Sequence, residues 1–223
     1  MKAAPEYRIH RFNDPVTIDS RWDKPLWQQM QAVDISNVMG KKPGFFPVVQ
    51  AKMLYSDDSL YVIFHVQDRF VRCITKVCNG PVWEDSCVEF FFAPFTQEPK
   101  HYFNLEINCG GTPLMHFSTV PRKVFTHLEV QDIKKIEIAH SLPKIIEPEM
   151  AESVTWTLEY RIPIDMLEKY APVTRPSEGV RWKANFYKIA ENNSNPHYLT
   201  WSPVKNKIPD FHLPACFGTL LFE

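Results

Sequence analysis

The chain has 223 residues, 44% hydrophobic and 23% charged, with a formal net charge of -1, and no basic run exceeds a pair such as Lys41-Lys42. That balance offers no electrostatic reason to expect nucleic acid or an anionic membrane surface as a partner. No segment approaches the apolar length of a membrane-spanning helix, and a chain of this size can bury about 70% of its unfolded surface in one all-β domain without disulfides or metal.

In chain order, Val16-Thr17-Ile18 reads as a first strand, and residues 20–29, with Trp22, Leu26 and Trp27, read as a short helix whose tryptophans cap one end of the core. The apolar runs 49–55 and 60–66 flank Ser56-Asp57-Asp58-Ser59, which is the pattern of a hairpin around a polar turn. Strands follow at 87–93 (CVEFFFA) and 102–108 (YFNLEIN), then near 115–118, 124–129, 136–140, 155–162, 180–189 and 219–222. Residues 163–170 form a helical turn or two, with Pro163 at its start and Asp165 in its first turn. The expected fold is all-β: one domain over residues 1–223, a two-sheet antiparallel β-sandwich of immunoglobulin or jelly-roll type with one or two short helices. The 19 prolines and 7 glycines are spread throughout, so no linker divides it.

The cysteines at 73, 78, 87, 109 and 216 are odd in number and lack CxxC spacing, which argues against a disulfide framework or zinc knuckle. Read as reduced, buried thiols, and with no apolar stretch in the opening MKAAPEYRIH, they lead to the expectation of a cytoplasmic, reducing location, with a secreted or periplasmic one as the alternative if a signal segment was removed.

The segment PVWEDSCVEFFF at 81–92 carries the most chemical information. Strand alternation separates Val88, Phe90 and Phe92 from Cys87, Glu89 and Phe91, so one face is apolar and the other holds a carboxylate that needs a partner or solvent. On the next strand Phe103, Leu105 and Ile107 share one face, and Asn104 and Glu106 the other. A sugar presents apolar C–H faces ringed by hydroxyls, and its site needs aromatic planes together with fixed carboxylates or amides. Trp83 and Glu89 supply one of each, although the same spacing also suits an edge tryptophan beside a structural ion pair.

Several stretches in order resemble carbohydrate-binding module family 9, a DOMON-like β-sandwich. They are Thr17-Ile18-Asp19 with Trp27, residues 54–62 with Asp68, residues 83–91, and Phe103 through Asn108-Cys109-Gly110. The match continues with Trp156, Glu159 and Ile162-Pro163, then Trp182 with Asn185-Phe186-Tyr187, Trp201-Ser202-Pro203, and Phe211-His212 with Pro214, Phe217 and Gly218. The resemblance implies non-catalytic binding of the terminal sugar of xylan- or glucan-type plant polysaccharide or oligosaccharide chains, in carbohydrate catabolism alongside a glycoside hydrolase. It places Trp83 as one stacking ring, Glu89 as the hydrogen-bonding carboxylate and Phe211 where the family's second ring is a tryptophan, with His212 beside it. Asn104 stands where the family has a sugar-binding arginine, and Tyr187 falls near its glutamine. Glu106 and Asn185 complete the expected site, while Lys188, Trp201, Trp156, Trp182 and Trp27 read as structural. No cofactor is required; the family's structural calcium would draw on Asp57, Asp58, Asp68 and Asp85, none of which forms an EF-hand pattern.

Three other readings remain open at this level, one of them a structural interaction module with no ligand. Glu89 with Glu106 or Asp85 could serve a glycoside hydrolase, whose two carboxylates flank the scissile bond at roughly 5 Å for retention or about 6.5–9.5 Å for inversion. A haem-binding DOMON-type domain would need axial ligands, for which Met53 and His65 are the available pair. Serine-hydrolase elbows and glycine-rich phosphate loops are absent from the sequence.

Overall fold

The computed structural model describes residues 4–95 and 100–223. Sixteen strands among them run in chain order as β1 (Glu6–Arg11), β2 (Val33–Asp34), β3 (Asn37–Val38), β4 (Val48–Tyr55), β5 (Ser59–Asp68) and β6 (Val71–Cys73). They continue as β7 (Cys87–Ala93), β8 (Tyr102–Asn108), β9 (Pro113–Val120), β10 (Val124–His127), β11 (Glu137–His140) and β12 (Ile146–Met150). The last four are β13 (Val154–Pro163), β14 (Arg181–Ala190), β15 (His197–Thr200) and β16 (Gly218–Phe222). Helices are confined to single turns: α1 (Pro25–Gln28), α2 (Val130–Ile133) and α3 (Ile164–Glu168).

One sheet runs β10-β9-β8-β7-β14-β16, and the other runs β4-β5-β13-β11, with β1 joining them. Their facing sides make the core. Val88, Phe90 and Phe92 of β7 and Phe103, Leu105 and Ile107 of β8 point inward, as their alternation predicts, and meet Val62 and Phe64 of β5. Phe186 of β14 links the layers, stacked on Phe90 at 4.8 Å between ring centroids and edge-on to Phe64 at 6.0 Å. Each such ring stabilises the fold by about 1.5–3 kcal/mol through removal of apolar surface from water.

The strand at 16–18 does not form. The chain enters instead on β1, where Tyr7 and Ile9 alternate into the core. Residues Glu6 to Ile9 pair in parallel with β16, and His10 and Arg11 pair in parallel with β4, so the sandwich is not wholly antiparallel. Residues 12–24 then cross the outer side of the second sheet, where Val16, Ile18 and Trp22 pack around Trp27, Leu54, Tyr61 and Ile63. The tryptophans of this segment therefore cover a sheet face and not an end of the core.

The local reason lies in Glu159. Its buried carboxylate accepts the backbone N–H groups of Asp19 and Ser20 at 2.9 and 2.7 Å, Trp27 Nε1–H at 2.8 Å and Lys24 Nζ at 2.7 Å. Lys24 Nζ donates to the Thr17 carbonyl as well, so the backbone groups of this stretch, Thr17 O and the Asp19 and Ser20 N–H, meet side chains and not a neighbouring strand, and alternation at 16–18 produces packing without pairing.

Candidate functional site

The side of the first sheet that faces away from the core carries polar residues, but they are buried and not solvated. Across β14, β7, β8 and β9, register places Tyr187, Glu89, Glu106 and Leu114 in one row, and Asn185, Phe91, Asn104 and His116 in the next. His127 on β10 extends the second row. Glu89, Glu106, Leu114, His116 and His127 belong to the floor and side of a pocket of about 330 Å³. That is the small end of the range of about 300–1,000 Å³ typical of small-molecule sites. Three rings line it as well: Trp83, Phe125 and Phe211.

Trp83 sits in a single 3-10 turn, Val82–Glu84, that is anchored on two sides. Asp85 accepts the N–H groups of Ile74 and Thr75 at 3.0 and 2.9 Å and Asn108 Nδ2–H at 2.9 Å, which ties the turn to β8. Glu84 accepts Asn192 through both its carbonyl and its carboxylate. Phe211 lies on Tyr187, with ring centroids 4.1 Å apart and planes 16° from parallel, and its carbonyl accepts the Tyr187 hydroxyl at 3.1 Å. Across the mouth, Arg122 at the tip of the β9–β10 hairpin donates Nε–H and Nη2–H to Asp210 Oδ1 at 3.0 and 2.8 Å. Asp210 also accepts the His212 N–H, so this ion pair clasps the hairpin to the loop that carries Phe211.

Glu89 and Glu106 are 2% and 5% exposed, and Oε2 of Glu89 has no hydrogen-bond partner. Glu106 Oε1 accepts Asn104 Nδ2–H at 2.7 Å. Burial pushes the Glu89 carboxyl well above the usual carboxylate range, and the neighbouring Glu106 pushes it further. Burial likewise raises Glu106 to about 7, against the lowering from Asn104. Two buried carboxyls this close cannot both carry charge cheaply, so at neutral pH the empty pocket retains a proton on the pair. Burial lowers His116 to about 3 and His212 to about 4, which leaves both imidazoles neutral at that pH. His212 Nδ1 is 2.8 Å from the Tyr102 hydroxyl, and its ring lies parallel to that of His116 at 5.7 Å.

Of the residues named from sequence, Trp83, Glu89, Glu106, Phe211 and His212 come together around this pocket. Asn104 stands behind Glu106 as its hydrogen-bond donor, and Tyr187 lies beneath Phe211. Asn185 is on the same face but is committed elsewhere: its Nδ2 donates to Ser202 O and its Oδ1 accepts Ser202 N–H, which pins the segment after β15. Lys188 points into the core, 3.1 Å from Asp68 Oδ2 and 2.8 Å from His197 Nε2. Sequence reasoning missed Leu114, His116, Arg122, Phe125, His127, Ile189 and Glu191, all of which line the pocket. The alternation of His116 on β9 and of Phe125 and His127 on β10 was visible, but the pairing of that hairpin beside β8 was not. An arginine is present after all, supplied by the hairpin tip and not by the position of Asn104.

The four aspartates considered for calcium do not converge. Asp57 pairs with Arg11, Asp58 with Arg161, Asp68 with Lys188, and Asp85 holds backbone donors. Among the described residues no cluster of three His, Cys, Asp or Glu side chains could hold a metal ion. Met53 lies in the core, whereas His65 is on the opposite face of the sheet against Trp22 at 5.2 Å, so the two cannot ligate one haem. Glu89 and Glu106 lie side by side at the pocket floor, on opposed positions of adjacent strands.

The fold and site are those of a two-sheet sandwich with an aromatic-walled, acceptor-floored pocket on one outer face. The profile of carbohydrate-binding family 9 matches residues 23–222, and the chain belongs to that family of non-catalytic carbohydrate-binding modules. A candidate carbohydrate-binding protein from Bacteroides uniformis is 26% identical with a TM-score of 0.88, covering 99% of this chain and 100% of its own. A family 9 module from Caldicellulosiruptor kristjanssonii in complex with cellotriose shares the fold at TM-score 0.64 and 15% identity, covering 97% of this chain and 93% of its own. A module from the same organism in complex with glucose gives 0.58 and 15%, covering 97% and 95%. No curated protein matches the chain.

Proposed function

We propose that the pocket binds the terminal sugar of a plant-type polysaccharide or oligosaccharide chain, stacked between Trp83 and Phe211 above the Glu89–Glu106 pair. The observation that carries this reading is the convergence of flat rings and buried acceptors in one small pocket, which is what recognition of an apolar sugar face and its hydroxyl rim requires. Glu89 Oε2 is an acceptor without a donor, and a sugar hydroxyl would satisfy it. Terminal recognition is the reading the small size of the pocket favours, since an internal sugar needs a groove open at both ends. The solved family 9 modules with cellotriose and glucose make glucans the first ligands to examine.

Having no chemistry of its own, the domain would act by holding chain ends for a glycoside hydrolase supplied elsewhere. Calorimetry against cello- and xylo-oligosaccharides, each with a free or a reduced end, tests the reading. Binding that depends on the state of the end and is lost in Trp83→Ala supports it. Undetectable binding across both series, or equal binding by Trp83→Ala, overturns it.

A further inference from the structure

We propose that the sugar this pocket takes is an amino sugar, held with its free ammonium on the Glu89–Glu106 pair; this rests on the carbohydrate reading above and names the class of sugar.

The argument begins with charge. Three carboxyls line the pocket: Glu89, Glu106 and Glu191. Among the described residues that line it, Arg122 is the one arginine or lysine, and Asp210 already answers it. The pocket therefore holds acidic groups for which the described lining residues supply no unspent cation. A protein that needed only hydroxyl acceptors could have used one carboxylate with an amide beside it, and avoided the repulsion of two. Here the carboxyls occupy directly opposed positions on adjacent strands, where Cβ atoms lie roughly 4.5–5.5 Å apart.

An ammonium between them resolves that conflict. It brings three N–H donors and a positive charge, so both carboxyls can ionise, and one donor reaches the unpartnered Oε2 of Glu89. Trp83, Phe125 and Phe211 enclose the same space, and aromatic faces attract a cation as well as a sugar ring. The chemistry also predicts exclusions. N-acetylation replaces the ammonium with a bulkier neutral amide, and a uronic acid adds a further carboxylate to the three already present.

The test is calorimetry on the full chain at neutral pH with glucosamine, glucose, N-acetylglucosamine, glucuronate and choline, repeated with chitosan and cellulose oligosaccharides. Glucosamine and its oligomers are expected to bind at least about ten-fold tighter than their neutral counterparts, with glucuronate weakest. In Glu89→Gln and in Glu106→Gln the ratio of glucosamine to glucose affinity is expected to fall to within about two-fold of unity, with cooperative thermal unfolding confirming that both variants fold. Glucose or N-acetylglucosamine binding as tightly as glucosamine overturns the amino-sugar assignment and leaves carbohydrate binding standing. Choline matching glucosamine overturns it too, since the site would then read the ammonium without the sugar. A preference that survives in both variants places the ammonium elsewhere and has the same consequence. If none of these compounds and no cello- or xylo-oligosaccharide binds, the carbohydrate reading falls with it.

Discussion

Glu89 of β7 and Glu106 of β8 face each other across adjacent strands, both buried at the floor of one pocket, with the Asn104 amide donating to Glu106 and no donor on Glu89 Oε2. The arrangement costs stability in the empty protein, and its consequences can be measured.

The first consequence concerns stability against pH. Burial raises Glu106 from 4.5 to about 7 in the folded state, so the unfolded chain releases its proton first as pH rises. The stability associated with its proton is present below about pH 4.5 and is lost as pH rises through 7. Glu106→Gln should therefore stabilise the ligand-free protein by roughly 2–3 kcal/mol at pH 8 and by little at pH 4, as read by denaturant unfolding. A gain that is equal at both pH values would show that the carboxyl is not buried as described.

The second concerns binding. Donors from a ligand favour the ionised carboxyls, so affinity should increase as pH rises from about 5 to 8, with proton release visible as a buffer-dependent enthalpy. The other titratable groups around the pair are His116, His127, His212, Arg122 and Glu191. Burial holds His116 at about 3 and His212 at about 4, so neither titrates in that window. Affinity that is flat across it would remove the carboxyl pair from the binding reaction.

Opposing behaviour is expected on the acid side of stability. The depressed folded-state values of His116, His197 and His212 all follow first from burial. Their stabilising effect is present above the unfolded value near 6.5 and is lost as pH falls toward about 3–4. The wild-type melting temperature should drop steeply over that interval, and His116→Gln should reduce the slope.

Arg122 and Asp210 test the clasp. The arginine is largely exposed, so the pair itself adds at most about 1 kcal/mol to stability. Asp210→Asn should leave the melting temperature within a few degrees of wild type. It should weaken binding several-fold, because the hairpin that carries Arg122, Phe125 and His127 loses its tie to the loop that carries Phe211.

Glu159 supplies a contrast on the other sheet. Its carboxylate holds Lys24, Trp27 and two backbone donors, so Glu159→Ala leaves several buried groups without a partner and should cost about 3–5 kcal/mol. Ligand affinity measured well below the melting transition should be unchanged.

How far these features could be read from the chain alone differs by scale. The segments 87–93 and 102–108 were legible as strands to the residue, because their period-two patterns match a sheet that separates two unlike environments. The first strand was misplaced because Val16 and Ile18 alternate as a strand does, while the chain just after them turns its Asp19 and Ser20 donors to Glu159, a residue more than a hundred positions away. The short strands β2, β3, β6, β12 and β15 were not anticipated either, since two to five residues hold too little pattern, and β3, β6 and β12 pair with strands distant in sequence.

By itself the sequence determined the sandwich class and the inward faces of β7 and β8, since alternation is a local property; it offered Trp83 and Glu89 as an aromatic and a carboxylate whose joint role only family resemblance suggested. Beyond the β4–β5 hairpin, tertiary structure alone decided which strands lie side by side. Register set Glu106 against Glu89 and His116 beside Asn104. The β9–β10 hairpin then brought Arg122 to a position that no spacing in the chain foretells. Long-range strand pairing is selected by the packing of the whole core, and that selection turned separate aromatic and acidic residues into one pocket.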